Sequence, residues 1–264
     1  MQVEATTSMA RNLMTALLFV AGLGCASTAQ AQAAAGSAQP EHRWSVDVGI
    51  GFDSSISGNI NSSAIGTLNG TSVVILKNKY EDVYGTGLNF RFGGGYMFKP
   101  NTELRVNFTL QSLDADLTRM GDFGASNLYA QYDDYQSFSM DFGLRQYMSL
   151  KPSIRAYGEG TIGLGFIGET DVTLTAPAVG LTLDATDFYD RTAAFTFGIN
   201  AGLLFDLKQN VGAVSNVAVY TQLGLRYVSG LADVDQLVAT GLNTINDESQ
   251  RWAIPFTVGV RFQF

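Results

Sequence analysis

The sequence predicts an all-β fold, an eight-stranded antiparallel up-and-down transmembrane β-barrel with four long external loops and short periplasmic turns. The first observation is the C-terminal stretch Trp252 to Phe264, where seven apolar residues alternate strictly with small or polar ones. A period of two sets these two classes on opposite faces of a strand. Seven further segments repeat the alternation, and the connections between them alternate long and short. Both features are typical of a barrel with lipid outside and a polar interior.

Composition narrows the class of protein. The 264-residue chain has 29 Gly, 17 Phe and 11 Tyr but a single His and a single Cys. Barrels use glycine to relieve crowding and aromatic rings to anchor at membrane interfaces. The formal net charge of −8 leaves no basic patch for nucleic acid. A mean hydropathy of +0.09 argues against a bundle of membrane helices, whereas the alternating strands of a barrel average to such a value.

The N-terminus predicts a cleavable signal peptide over residues 1–31. A short cationic start precedes Leu13 to Gly24, an apolar core too short to span a bilayer. Ala29 to Ala31 is the preferred cleavage site, and Ala31 to Ala33 competes with it. Cys25 raises a lipoprotein alternative, but glycine stands where a lipobox has leucine. Removal of this segment leaves a mature chain without cysteine.

The mature chain divides into a polar periplasmic linker, residues 32–43, and a barrel domain, residues 44–264. Each predicted strand has at least nine residues, and a tilted strand needs ~9–11 residues to cross a bilayer. An even number of strands places both ends of the mature chain on the periplasmic side. The predicted strands are Trp44 to Phe52, Tyr84 to Phe98, Thr102 to Gln111, Ser137 to Met148, Ile154 to Ile167, Thr192 to Asp206, Val217 to Val228 and Trp252 to Phe264.

Every strand has an apolar face opposite a polar or glycine-containing one, which is why each is assigned as membrane-spanning. The fifth strand is the richest in glycine. At every second residue, the apolar faces run from Trp44 to Phe52, Leu88 to Phe98, Leu104 to Leu110, Phe138 to Leu144, Ile162 to Phe166, Ala193 to Phe205, Val219 to Tyr227 and Trp252 to Phe264.

The connections indicate the orientation. The three short turns each carry one lysine, at Lys99, Lys151 and Lys208, and proline fixes φ in the first two. The second to fourth long connections hold fourteen acidic residues against three arginines. We therefore expect an acidic outer surface. The long connections are Asp53 to Val83, Ser112 to Gln136, Gly168 to Arg191 and Ser229 to Arg251.

Two of the long connections contain segments with strand character. Ser72 to Leu76 either prolongs the barrel wall or belongs to an extra hairpin. Val172 to Thr175 and Leu181 to Leu183 alternate apolar residues with threonine, which predicts a hairpin above the membrane.

Ionisable residues concentrate on the predicted interior face, which has arginine but no lysine. Arginine forms bidentate pairs with carboxylates and suits a confined site. The near balance of charge favours a salt-bridged plug of the lumen, and a gated or narrow pore is the alternative. The predicted lumen charge network is Asp47, Arg91, Glu103, Arg105, Asp141, Arg145, Arg155, Glu159, Arg226 and Arg261, with Asp206 on the same face.

The predicted lipid face carries aromatic residues near both ends, as expected for the two girdles of a membrane barrel. A soluble, lipocalin-type barrel is the structural rival, and it would turn the apolar face inward. The predicted girdles are Trp44, Phe98 and Phe262 at one end and Phe52, Tyr84, Tyr227 and Trp252 at the other.

Neither catalysis nor metal binding finds a supporting motif. His42, the only histidine, precedes the first strand, so no strand offers an imidazole base. No Cys or His cluster predicts a zinc site, and fragments such as Asp114 to Asp116 lack calcium-loop spacing. We expect no enzyme activity, no cofactor and no specific metal site. Diffuse divalent bridging between acidic loops and lipopolysaccharide phosphates remains an alternative.

The closing strand with its terminal Phe264 and the glycine-rich strand Tyr157 to Phe166 resemble the small outer-membrane β-barrel superfamily, the eight-stranded OmpA/OmpX-like group. The resemblance covers about Trp44 to Phe264. It implies that Phe256, Phe262 and Phe264 form the C-terminal signal read by the barrel-assembly machinery. It also implies an outer-membrane location, lipid and lipopolysaccharide as surroundings, periplasmic chaperones during biogenesis, and a monomer.

This resemblance implies a role in envelope integrity or loop presentation at the cell surface, which is our first expectation for function. A passive porin-like channel for small solutes is one alternative. An adhesin that acts through the external loops is another.

Overall fold

The computed structural model describes residues 43–207, 214, 216–233, 245–246 and 249–264, apart from the side chain of Ala185. The predicted signal peptide, the linker up to residue 42 and Lys208 lie outside the described residues. Within them, no helix is both long and apolar enough to cross a membrane.

The described chain is almost entirely β-structure, with one helical turn, α1 (Tyr80–Val83), and one short 3₁₀ turn at Pro177–Val179. In chain order the strands are β1 (Trp44–Ser57), β2 (Asn59–Asn61), β3 (Ala64–Leu68), β4 (Thr71–Ile75), β5 (Asn78–Lys79), β6 (Gly87–Lys99), β7 (Thr102–Leu113), β8 (Thr118–Phe123), β9 (Ser126–Tyr132), β10 (Tyr135–Lys151), β11 (Ile154–Ile167), β12 (Thr170–Ala176), β13 (Leu181–Asp190), β14 (Thr192–Asp206), β15 (Asn216–Val228), β16 (Ala232–Asp233) and β17 (Arg251–Gln263).

Eight of these strands close a barrel in the order β1-β17-β15-β14-β11-β10-β7-β6, and every neighbouring pair is antiparallel. The predicted eight-stranded up-and-down barrel is therefore confirmed. The closing strand β17 pairs with β15 on one side and with β1 on the other. Its ladder with β15 skips Gly224 and Leu225, because Pro255 has no N–H to donate.

Several strand ends differ from the prediction, and three of these differences lie at the outer end of the lumen. The second barrel strand begins at Gly87 rather than Tyr84, because α1 precedes it and Tyr84 bridges only to Ala115. β1 continues to Ser57 instead of ending at Phe52, and β17 begins at Arg251 instead of Trp252. Both extensions keep the period of two beyond the point where the residues become mostly polar.

The outside of the barrel is apolar, and its inside is polar. Trp44, Phe52 and Phe98 are largely exposed at the ends of their strands, as predicted for girdle residues. A ladder of stacked phenylalanine rings crosses four neighbouring strands, with centroids 4.9 to 6.2 Å apart; it comprises Phe92, Phe108, Phe138 and Phe166. An exterior of this kind suits lipid and excludes the lipocalin arrangement, in which the apolar face would point inward.

At the outer end, the long connections fold into a sheet of their own. We call this the outer sheet; its strand order is β16-β13-β12-β9-β8-β4-β3. The predicted hairpin between Val172 and Leu183 is confirmed as β12 and β13. The segment Ser72 to Leu76 lies in the hairpin of β3 and β4, so of the two alternatives the extra hairpin is the one observed.

The outer sheet has a hydrophobic core, which the prediction of polar loops missed. Tyr84 belongs to it and is 3 % exposed, so its assignment to the lipid-facing girdle was wrong. The Tyr84 ring lies 6.0 Å from the rings of both Tyr80 and Tyr135. Burial of such rings stabilises the outer sheet as a folded unit rather than a set of loops.

Candidate functional site inside the barrel

The period of two brings seven predicted residues together in the lower half of the lumen. Each points inward because it lies out of phase with the apolar residues of its strand. We call this cluster the ionic network; it consists of Asp47 on β1, Arg91 on β6, Glu103 and Arg105 on β7, Arg145 on β10, Glu159 on β11 and Arg261 on β17.

Glu103 is one centre of the ionic network. Arg261 donates to both of its oxygens, from Nη2 to Oε1 at 2.5 Å and from Nη1 to Oε2 at 3.1 Å. Arg105 Nη1 lies 3.2 Å from Oε2, and the Tyr147 hydroxyl donates to the same oxygen at 2.6 Å. Ser45 Oγ donates to Oε1 at 2.5 Å. A carboxylate so surrounded is fully compensated by charge-assisted hydrogen bonds.

Glu159 is the second centre. Arg145 donates to its Oε2 from Nε at 2.7 Å, and Arg91 Nη2 donates to Oε1 at 2.7 Å. Asn107 Nδ2 donates to Oε1 at 2.9 Å, and Arg105 Nε lies 3.8 Å from Oε2.

Asp47 joins the two centres. Its Oδ2 accepts a hydrogen bond from Arg105, and it lies 3.6 Å from Arg145 Nη1. Arg261 Nη1 is 3.6 Å from its Oδ1. Four guanidinium groups and three carboxylates thus form one continuous layer with almost no exposed surface. Removing one member leaves charges buried without compensation, which is strongly destabilising.

Aromatic rings close the gaps around the ionic network. The Arg145 guanidinium lies 4.1 Å from the centroid of Tyr157, and the Arg261 guanidinium lies 5.4 Å from that of Tyr147. Such cation–π contacts add attraction where water is excluded.

The remaining predicted lumen residues lie apart from the ionic network. Arg155 pairs with Asp206 at 2.6 Å near the inner end. Arg226 Nη2 lies 3.7 Å from Asp141 Oδ2 in the upper half of the lumen, too far for a hydrogen bond. Asp141 instead accepts hydrogen bonds from Thr196 Oγ1 at 2.5 Å and Ser139 Oγ at 3.3 Å.

A small polar chamber lies between the ionic network and the contact of Arg226 with Asp141, and residues of both line it. Its volume is about 40 Å³, enough for water, and it is bounded by Arg91, Arg226, Asp141 and Asp53 together with Asn, Thr and Pro255 side chains. The chamber shows that the ionic network does not fill the whole lumen.

Above the chamber lies an ion pair that the sequence analysis missed. Arg251 Nη2 donates to Asp53 Oδ1 at 2.8 Å, and both side chains are 2 % exposed. The sequence predicts Arg251 in the fourth loop and Asp53 in the first, and both predictions are wrong, because Asp53 lies on β1 and Arg251 on β17. The sequence does contain a signal for this pair. Asp53 is an even number of residues from Asp47, and Arg251 is an even number from Arg261, so the alternation of the strands points both side chains inward.

Arg251 also connects the lumen with the outer core. Its guanidinium lies 4.8 Å from the Tyr135 centroid and 6.0 Å from the Tyr80 centroid. The Tyr80 hydroxyl donates to the Ser249 carbonyl oxygen at 2.9 Å. This layer covers the polar chamber on its outer side.

The outer surface carries a negative strip where β12 and β13 pair. Asp171 stands opposite Asp187 in the register. Desolvation, together with the carboxylates of Asp133, Asp187 and Glu169, raises the pKa of Asp171 above its usual range. Across the described ranges, no group of three His, Cys, Asp or Glu side chains is arranged to hold a metal ion.

No family model matches the chain, and no curated protein sequence matches it. Solved structures similar to it include the Neisserial surface protein A (TM-score 0.43, 10 % identity, covering 84 % of this chain and 97 % of that one). Another is Ail, the attachment invasion locus protein of Yersinia pestis, in complex with the heparin analogue sucrose octasulfate (TM-score 0.35, 11 % identity, covering 84 % of this chain and 99 % of that one). A third is the outer membrane protease OmpT from Escherichia coli (TM-score 0.40, 13 % identity, covering 84 % of this chain and 97 % of that one).

The fold class of the chain follows from its own architecture and not from these comparisons. Eight antiparallel strands close on themselves, the exterior is apolar with aromatic ends, and the interior is ionic. Short turns lie at one end, and an extended β-structure lies at the other. The chain is a closed, eight-stranded antiparallel β-barrel with an apolar exterior and an ionic interior.

Proposed function

We propose that this protein is a non-conducting barrel of the outer membrane, with a structural and surface-interaction role. The barrel anchors the chain in lipid, and the outer sheet is the part presented to the surroundings. The observation that carries the proposal is the ionic network, which joins six of the eight barrel strands across the lumen. A closed lumen leaves the folded outer sheet as the functional surface.

A passive channel for small polar solutes is the second candidate, and the polar chamber is the observation that favours it. The chamber lies between two barriers, the ionic network on its inner side and the layer of Arg251, Tyr80 and Tyr135 on its outer side. A channel would require both barriers to open, so we favour the closed barrel.

Planar-bilayer recording tests the proposal. We expect no reproducible open channels from the wild-type protein and raised conductance only from the double variant Glu159→Ala with Arg251→Ala, because Glu159 is the partner of Arg91 and Arg145 in the inner barrier and Arg251 forms the outer one. Glu169→Ala is the matched control, since Glu169 pairs with Arg191 on the exposed surface. Regular channels from the wild-type protein would contradict a closed barrel and favour the passive channel.

We further propose that the protein is not an enzyme. His42 precedes the first strand, so an imidazole base on the barrel is lacking in the sequence. Incubation of the folded protein with lipid and peptide substrates tests this point, and turnover of either would contradict it.

The proposed partners are outer-membrane lipid and lipopolysaccharide, the barrel-assembly machinery, and chaperones during biogenesis; the protein is proposed to be a monomer. Phe256 and Phe264 are exposed on the apolar face of β17, and Phe262 is half-buried there. The Phe264 backbone N–H donates to the Trp44 carbonyl at 2.9 Å, at the seam that closes the barrel.

Phe264→Ala should therefore lower the fraction of protein that assembles in cells, measured as the heat-modifiable band on a gel. The lipid-exposed Phe195 on β14 offers the control, because Phe195→Ala removes a ring of similar exposure away from the C-terminus. Equal assembly of the two variants would argue against a C-terminal signal. A single species of monomer size after crosslinking in membranes is the expected oligomeric result.

A further inference from the structure

The charged side chains inside the barrel do not balance. The ionic network has four arginines and three carboxylates. The other ion pairs of the lumen each add one charge of either sign; they are Arg155 with Asp206, Arg226 with Asp141, and Arg251 with Asp53. Among the described residues, the lumen therefore has an excess of one positive charge. A buried charge without a counterpart is costly, so this excess favours the uptake of an anion.

Buried donors show the same shortage of negative charge. Four fully buried guanidinium nitrogens have no acceptor among the described residues, whereas Asp47 Oδ1 is the one such carboxylate oxygen without a donor. The four nitrogens are Arg105 Nε, Arg145 Nη1, Arg251 Nη1 and Arg261 Nε. None of these arginines lines the polar chamber. An anion in the chamber would therefore not bond to them, but it would offset the excess charge that they share.

Two guanidinium groups with donors to spare face the polar chamber, Arg91 from β6 and Arg226 from β15. Arg91 donates to Glu159 through Nη2. Arg226 lies 3.7 Å from Asp141 and forms no hydrogen bond with a described residue. A guanidinium group has five N–H donors, so both side chains retain donors for a ligand in the chamber.

Two buried amides add neutral donors to the same space. Asn89 and Asn200 line the chamber, are 4 % and 7 % exposed, and form no hydrogen bond with another described residue. Buried amides are normally hydrogen-bonded, so these two indicate a ligand in the chamber. An amide presents either its NH₂ group or its oxygen, so the charged groups decide the sign of that ligand.

Two carboxylates also face the chamber, but both already accept hydrogen bonds. Asp53 accepts from Arg251 at 2.8 Å. Asp141 accepts from Thr196 at 2.5 Å and from Ser139 at 3.3 Å. A cation in the chamber would increase the positive excess of the lumen, whereas an anion removes it. The balance of charge therefore favours an anion.

The size of the chamber limits which anion fits. A volume of about 40 Å³ accommodates only a few water molecules. A halide ion is little larger than a water molecule, whereas sulfate, phosphate and organic acids carry several heavy atoms. The chamber therefore suits a monatomic anion.

We propose that the polar chamber binds one halide ion, with chloride as the physiological species, held by Arg91 and Arg226 and by the amides of Asn89 and Asn200. The bound ion neutralises the excess charge of the lumen and so stabilises the folded barrel. This site goes beyond the proposed function, because an open barrel can hold the same ion. Conductance in the wild-type protein would therefore affect only the closed lumen.

The first test measures urea unfolding of the full chain in lipid vesicles, with sodium chloride replaced stepwise by sodium gluconate at constant ionic strength. Gluconate is too large for the chamber. We expect the ratio of folded to unfolded protein to rise with chloride, by about tenfold for each tenfold increase above the dissociation constant, as for one ion bound only by the folded state. Equal stability in the two salts would overturn the proposal. So would a stability that follows the cation when sodium is exchanged for N-methylglucamine.

A pair of matched variants separates the site from the overall charge of the lumen. Arg226→Gln removes a guanidinium group that lines the chamber and should abolish the dependence on chloride. Arg155→Gln makes the same change near the inner end, where Arg155 pairs with Asp206 outside the chamber, and should preserve it. Chloride dependence that survives in Arg226→Gln, or that is lost equally in both variants, would contradict the assignment.

Crystals of the wild-type protein grown in sodium bromide provide a second measurement, which does not require any variant to fold. Bromide scatters anomalously, and we expect an anomalous peak inside the chamber, within hydrogen-bonding reach of Arg91 and Arg226. A chamber without a bromide peak would overturn the proposal. A bromide peak without chloride-dependent stability in vesicles would indicate an adventitious ion only and would overturn it as well.

Discussion

Glu159→Ala should destabilise the folded barrel by about 3–5 kcal/mol, the typical effect of removing one partner from a buried ion pair. Arg145 and Arg91 each lose a hydrogen bond of 2.7 Å or less, and Arg105 loses a contact at 3.8 Å. Asn107 loses its acceptor as well. The four guanidinium groups of the ionic network would then be left with two carboxylates, Asp47 and Glu103.

Urea titration of the protein in lipid vesicles measures this effect, with tryptophan fluorescence and the heat-modifiable band as independent probes. Glu169→Ala removes an exposed pair and should change the unfolding free energy by at most ~1 kcal/mol. A further variant, Glu159→Gln, keeps the size and the acceptor oxygen but loses the charge. It should fall between the wild-type protein and Glu159→Ala, and similar stability of all three would show that the arginines find other compensation.

The ionic network illustrates how far a sequence predicts such a site. The period of two predicts an inward direction for Glu103, Glu159 and the arginines, since each stands out of phase with apolar neighbours, and their side chains lie in the lumen. It did not predict the pairing, because Glu103 on β7 and Arg261 on β17 lie on strands that are not adjacent. The height of each side chain in the lumen depends on the register of all the strands between them, and a single sequence does not contain it.

The outer sheet shows a different reason for a missed feature. Its strands are short, and β-bulges interrupt two of them. One lies in β8 between Arg119 and Gly121, and two lie in β13, between Leu183 and Thr186 and between Asp187 and Tyr189. Each bulge shifts the alternation by one residue, so apolar side chains before and after it fall out of phase. The buried residues of this core therefore looked like scattered apolar positions in polar loops.

Arg251 and Asp53 lie where the barrel lumen meets the outer sheet, and the sequence predicts their position only in part. Both continue the alternation of a barrel strand, but few apolar neighbours remain near them to mark the lipid face. The barrel wall extends there beyond the girdle of Phe52 and Trp252, and the outer core replaces lipid as the packing partner. Apolar alternation alone therefore underestimates the length of strands that continue above the membrane.

Gly202→Ala should cost about 3 kcal/mol of unfolding free energy, although it adds a single methyl group. Gly202 lies on the inner face of β14, opposite Tyr157 in the register. A Cβ atom there would lie 2.4 Å from Tyr157 Cζ and 2.5 Å from the Thr221 carbonyl oxygen. The carbonyl belongs to the sheet, and the ring is fixed by its hydrogen bond to Gln222 at 3.1 Å and by Arg145, so neither can move cheaply.

Gly160→Ala is the matched control on the neighbouring strand β11. Gly160 faces outward, and a Cβ atom there meets no other described atom within 4 Å, so the added methyl group enters lipid. The two variants make the same chemical change in the same wall and should differ by about 3 kcal/mol in urea unfolding. The Gly202→Ala effect should also shrink in a Tyr157→Phe background, where the ring loses its bond to Gln222 and can shift. Equal stability of Gly202→Ala and Gly160→Ala would show that the aromatic lining adapts, and that the ionic network packed on Tyr157 does not depend on a rigid wall.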